Sequence, residues 1–95
     1  MDEKLRQLAV HYGFTNQADM LVEESAEFTV ARNKLRRGNT EAIKQMEEEL
    51  ADVLVVALQL RMIIGEDYID SIMSDKINRQ LERMKEEENN ASKDS

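Results

Sequence analysis

Two short acidic clusters carry most of the chemistry that this sequence offers. One reads Glu23-Glu24-Ser25-Ala26-Glu27 and the other Glu49-Leu50-Ala51-Asp52. Residues three apart share a helix face, so Glu24 pairs with Glu27 and Glu49 with Asp52. Gly38 lies midway: Glu27 and Glu24 precede it by 11 and 14 residues, and Glu49 and Asp52 follow it by 11 and 14. A tight turn at Gly38 would fold two helices into an antiparallel hairpin with Glu27 level with Glu49 and Glu24 level with Asp52. Four carboxylates at one height repel one another and raise their own pKa values. Burying them unpaired is costly. A hard divalent cation relieves both problems, because it takes oxygen ligands from carboxylates, waters and phosphates. The cluster therefore points to Mg²⁺ or Mn²⁺.

The competing reading is a solvated helix face with lysine and arginine partners. It suits Glu23, Glu47 and Glu48. It suits Glu24 less, because Glu24 interrupts an apolar stripe. It suits Asp52 least, a poor helix former set within Leu50-Ala-Asp-Val-Leu-Val-Val.

The elements that must hold these side chains are helices. The chain has 95 residues, no proline and three glycines, which disfavours a turn-rich β fold and leaves long uninterrupted stretches. Glycine commonly follows a helix end. Gly13, Gly38 and Gly65 thus divide the chain into helices over about residues 3–12, 17–37, 41–64 and 67–87. Thr15 or Asn16, then Asn39 or Thr40, then Asp67 are the candidate N-caps. Leu5, Leu8, Ala9 and Tyr12 make the first stripe, and Leu21, Phe28, Ala31 and Leu35 the second, with Glu24 on the same line. The third helix is amphipathic through Ile43, Met46 and Leu50, then apolar nearly all round from Val53 to Leu60. Such a helix is expected to be buried on every side. The fourth carries Ile69, Ile72 or Met73, Ile77, Leu81 and Met84. The reading is one domain over residues 1–88 and a flexible polar tail over 89–95.

Composition narrows the classes further. The net charge is −7, from 20 acidic and 13 basic side chains. Such a chain repels nucleic acid and anionic membranes, so neither is expected as a partner. Without cysteine there is no disulfide, thiolate metal site or thiol nucleophile, and His11 stands alone. No signal peptide is visible. The apolar stretch over residues 50–64 is too short to span a bilayer and holds Asp52, Gln59 and Arg61. These features suggest a cytoplasmic protein.

The spaced motif Glu23-Glu24-x-x-Glu27 and Glu49-x-x-Asp52, with 21 residues between its halves, resembles that of the MazG-like all-α nucleoside triphosphate pyrophosphohydrolases. The resemblance runs from about Tyr12 to Arg83. It implies an all-α, four-helix MazG-like bundle built on a long antiparallel helical hairpin, and an oligomer. It makes Glu24, Glu27, Glu49 and Asp52 the Mg²⁺ ligands. Glu23 matches the first motif position, either supporting a ligand or orienting the attacking water. Family members split a nucleoside triphosphate between the α and β phosphates, giving a monophosphate and pyrophosphate. The implied role is cleansing of the nucleotide pool.

Phosphates also need cations. Lys76, Arg79 and Arg83 fall on one face at i, i+3 and i+7, and the resemblance supports a phosphate role for that ridge. Lys34, seven residues after Glu27, is a lesser candidate. For the base, Tyr12, Phe14 and Gln17 supply rings and an amide, with Gln17 on the face of Glu24; the plainer reading is that the rings pack a turn. The apolar third helix argues for a homodimer or homotetramer. Two other readings compete: a phosphoribosyl-ATP pyrophosphohydrolase with the same metal motif, and a non-catalytic helical module that binds metal or nucleotide.

Overall fold

The computed structural model describes residues Met1–Asp94, and these are nearly all helical. Three helices follow one another: α1 (Asp2–Arg36), α2 (Ala42–Ile64) and α3 (Glu66–Asp94). The chain divides into two compact units, one ending at Ile64 and the other beginning at Gly65. No helix among the described residues is long and apolar enough to cross a membrane.

In the first unit, α1 and α2 pack as an antiparallel hairpin about Gly38. The turn is a Schellman motif. The Gly38 N–H donates to the Leu35 carbonyl at 3.0 Å and the Asn39 N–H to the Lys34 carbonyl at 3.1 Å. This geometry requires a left-handed residue, which Gly38 supplies at φ 98°. The carbonyls of Asn39 and Thr40 then accept the Ala42 and Ile43 N–H groups and start α2.

Gly13 does interrupt α1, but in a different way from a loop. It alone leaves helical geometry, at φ 80° and ψ 176°, and the helix resumes at once. No residues remain to act as a linker, so the expected capping by Thr15 or Asn16 does not arise. Asn16 Nδ2 instead donates back to the Tyr12 carbonyl at 2.8 Å. α1 is thus two helical stretches that meet at Gly13, the expected break, with no loop between them.

The core is narrow and lined by small side chains. Leu5, Ala9 and Ala31 on α1 are buried, as are Ala42, Val56 and Leu60 on α2. Ala31 is fully covered. The second stripe is as expected: Leu21, Glu24, Phe28 and Leu35 are all half-buried around Ala31. Within the single chain, α1 covers only part of the apolar segment of α2. Leu54 and Val55 stay 52% and 43% exposed, because a single neighbouring helix covers only one stripe of α2.

In the second unit, α3 starts directly after Gly65, whose carbonyl accepts the Ile69 N–H at 3.0 Å. Gly65 thus holds the cap position. Asp67 lies inside the first turn, where with Glu66 it complements the helix dipole. The helix continues through the polar segment after Asn89 to Asp94; Ser95, the end of the expected tail, lies outside the described residues. Ile72, Met73, Ile77, Leu81 and Met84 form the expected stripe, and all are exposed.

Candidate metal centre

The hairpin brings Glu24, Glu49 and Asp52 together. One oxygen from each lies within 4.8 Å of the others, a spacing that one cation can bridge. Glu24 is half-buried because its stripe faces α2, and Glu49 because its stripe faces α1. Asp52, one turn after Glu49, closes the cluster from the exposed side. Glu27 is exposed and outside this triplet, yet near enough to hydrogen-bond with Glu49 and to act on it by charge. Glu23 is exposed on a neighbouring face.

One oxygen of Glu24 and one of Glu49, both Oε2, are shielded from water, and no hydrogen-bond donor among the described residues reaches either. Orphaned buried acceptors are uncommon, since each forfeits its hydration without replacement. The electrostatics agree. Hydrogen bonding with Glu49 pulls the Glu24 carboxyl down, but burial and the charges of Glu27 and Asp52 outweigh it, and the net effect is a rise. Glu49 is pushed up to about 7, first by burial, then by hydrogen bonds to Glu24 and Glu27, then by their charges. At neutral pH the cluster is therefore short of positive charge. A proton on Glu49 relieves part of that shortage, and a divalent cation relieves more. The donor set is all oxygen, which suits Mg²⁺.

The other sequence candidates fall in three places. Lys34 is half-buried, two turns beyond Glu27 and so about 10 Å further along α1. Lys76, Arg79 and Arg83, with Gln80, line a hollow of about 200 Å³ on α3. Tyr12 and Gln17 line a cavity of about 510 Å³ with Asn16, Met20 and Val56. Phe14, 53% exposed, is outside the residues that line it.

Sequence reasoning passed over Gln59. It is buried, and its Oε1 accepts a hydrogen bond from Gln17 Nε2 at 2.6 Å. The signal was present: Gln17 precedes Gly38 by 21 residues and Gln59 follows it by 21, the same mirror relation that pairs the carboxylates. Comparison with known protein families, with curated proteins and with solved structures finds no match for this chain.

Proposed function

We propose that the chain is a Mg²⁺-dependent nucleoside triphosphate pyrophosphohydrolase, acting in the cytoplasm on the nucleotide pool. The observation that carries this reading is the pair of shielded, donorless carboxylate oxygens on Glu24 and Glu49, beside Asp52. The motif resemblance supplies the reaction class: water attack and cleavage between the α and β phosphates, leaving a nucleoside monophosphate and pyrophosphate.

In this reading Glu24, Glu49 and Asp52 hold the cation, and Glu27 joins them from its place beside Glu49. Bound Mg²⁺ would neutralise phosphate charge and acidify a water. Exposed Glu23 has free access to solvent and is suited to orient the attacking water. Lys76, Arg79 and Arg83 are the cations suited to phosphate, and positioning and electrostatics do most of the work in such a reaction. The protein acts as a homo-oligomer, and association of copies completes the four-helix bundle. The uncovered apolar faces of α2 and α3 support this: among the described residues, eleven large apolar side chains on these two helices are exposed in the single chain.

The test is pyrophosphate release from a panel of NTPs and dNTPs with Mg²⁺. Release by the wild type, and its loss in Glu24→Gln and Asp52→Asn, is expected. An inactive wild type, or variants of undiminished activity, would sink the catalytic reading.

A further inference from the structure

Gly13 is the one residue inside α1 that leaves helical geometry, at φ 80° and ψ 176°. That backbone region is open to glycine and costly for any residue with a Cβ. No atom beyond the adjoining backbone lies within 4 Å of where a Cβ would stand, so no neighbour wedges the chain at this point. The residues before it are lightly held. Of residues 2–12 only Leu5 and Ala9 are buried, and all the others are exposed. A side-chain hydrogen bond spans the break, from Asn16 Nδ2 to the Tyr12 carbonyl at 2.8 Å. Tyr12 is also where this segment meets the cavity of about 510 Å³. It is the wall that precedes Gly13, whereas Asn16, Gln17, Met20 and Val56 all follow it. Gln17 and Val56 line the cavity yet are only 6% and 7% exposed, so its floor is nearly closed to solvent.

We propose that residues 2–12 are a lid, hinged at Gly13 and latched by Asn16, whose opening carries Tyr12 away from the cavity and uncovers Val56. A hinge concentrates a large backbone change in a few residues, and glycine absorbs it at least cost. Opening breaks the bond from Asn16 and undocks Leu5 and Ala9. It leaves the hairpin beyond Gly13 whole, with its bond between Gln17 and Gln59, so the lid moves without unfolding the rest. His11 packs edge-to-face on Tyr12, with centroids 4.6 Å apart, and belongs to the same segment, so the two rings travel together. In the structure the lid is closed. The cavity has the size of a small-molecule site, and the lid controls entry to it. That a nucleotide enters there rests on the function proposed above, but the hinge and the latch do not.

The chain contains no cysteine, so a single engineered thiol reports exposure at one place. Three variants of the full chain are compared: Ala9→Cys under the lid, Val56→Cys in the cavity and Ala31→Cys in the hairpin core, all at buried positions. Their rates of reaction with N-ethylmaleimide are measured without denaturant. Ala9→Cys and Val56→Cys should react at similar rates, each at least about tenfold faster than Ala31→Cys, since the lid opens more often than the whole chain unfolds. Gly13→Ala puts a Cβ in the disfavoured region and should speed both about tenfold while leaving Ala31→Cys unchanged. Asn16→Ala removes the latch and should speed both about threefold. Circular dichroism checks that each variant is folded. If a thiol variant unfolds, amide exchange in the cysteine-free chain gives the same reading, because a helix this short melts once undocked. Asn16→Ala should then raise exchange over residues 2–12 and not over residues 17–36. Equal rates at all three thiols, a Val56→Cys as slow as Ala31→Cys, or hinge and latch changes that speed all positions alike or none would each overturn the proposal. None of these readouts uses turnover. An inactive enzyme therefore leaves the lid standing, and a rigid N-terminal segment leaves the catalytic reading standing.

Discussion

Gln17 and Gln59, 42 residues apart in the chain, are joined by a 2.6 Å hydrogen bond and stand equally far from Gly38. That bond belongs to one register of the hairpin. Any helical slip would break it and would also move Glu24 away from Asp52. Removing Gln59 alone strands a buried amide. Gln59→Leu should cost about 1–3 kcal/mol, whereas replacing both glutamines by leucine should cost much less, since no polar group is then orphaned. Urea unfolding of the two singles and the double makes the comparison.

Gly38 takes a conformation that penalises any Cβ. Gly38→Ala should destabilise the protein by about 1–2 kcal/mol, although no atom lies within 4 Å of the added methyl. The same urea titration measures it. A cost near zero would mean that the turn is remade in another form.

The metal-free protein should lose stability as pH rises. Glu49 titrates near 4.5 when unfolded and about 7 when folded, so the fold binds the extra proton. That contribution is fully present below about pH 4.5 and is lost as pH climbs through about 7. Thermal melts across this window should show the decline. Mg²⁺ should reverse it, and Glu49→Gln should flatten it.

Cation binding should release protons near neutral pH, because the metal displaces the proton on Glu49. Calorimetry in buffers of different ionisation enthalpy reads this directly. Glu24→Gln and Asp52→Asn should each weaken Mg²⁺ at least tenfold. Glu27→Gln, outside the triplet, should weaken it less.

Leu54 and Val55 are the test of assembly. Each is about half exposed on the face of α2 away from α1. A Leu54→Glu, Val55→Glu double variant should be monomeric by light scattering while keeping its helical content. A wild type that is itself a monomer would remove the expectation.

The hairpin and its carboxylates were legible because both depend on counting from one glycine. Glu24 sits on the stripe that faces α2, and its partial burial followed from that stripe. Glu27 was harder. It has the mirror position of Glu49, but helix rotation leaves its side chain at the exposed rim. Gln59 was hidden among Leu, Val and Ala, where an amide reads as a chance interruption until its partner is found across the turn. The break at Gly13 was legible, but not that the next helical stretch would follow with no loop between. Leu54 and Val55 read as part of a helix apolar nearly all round, and their exposure in the single chain leaves that face open to a second copy.

The kink at Gly13 has its own logic when the two strands of the hairpin are measured against each other. The residue mirroring Ile64, the last of α2, is number 12. Straight continuation beyond Gly13 would carry α1 past the end of its partner into open solvent. The bend instead lets residues 2–12 turn across that end, and Arg6, Ala9 and Val10 share a hollow there with Met62 and Ile63. The N-terminal segment is thus a stopper for the open mouth of the hairpin, as the Schellman turn is for the closed one. The carboxylates lie between these two seals, insulated from fraying at either end.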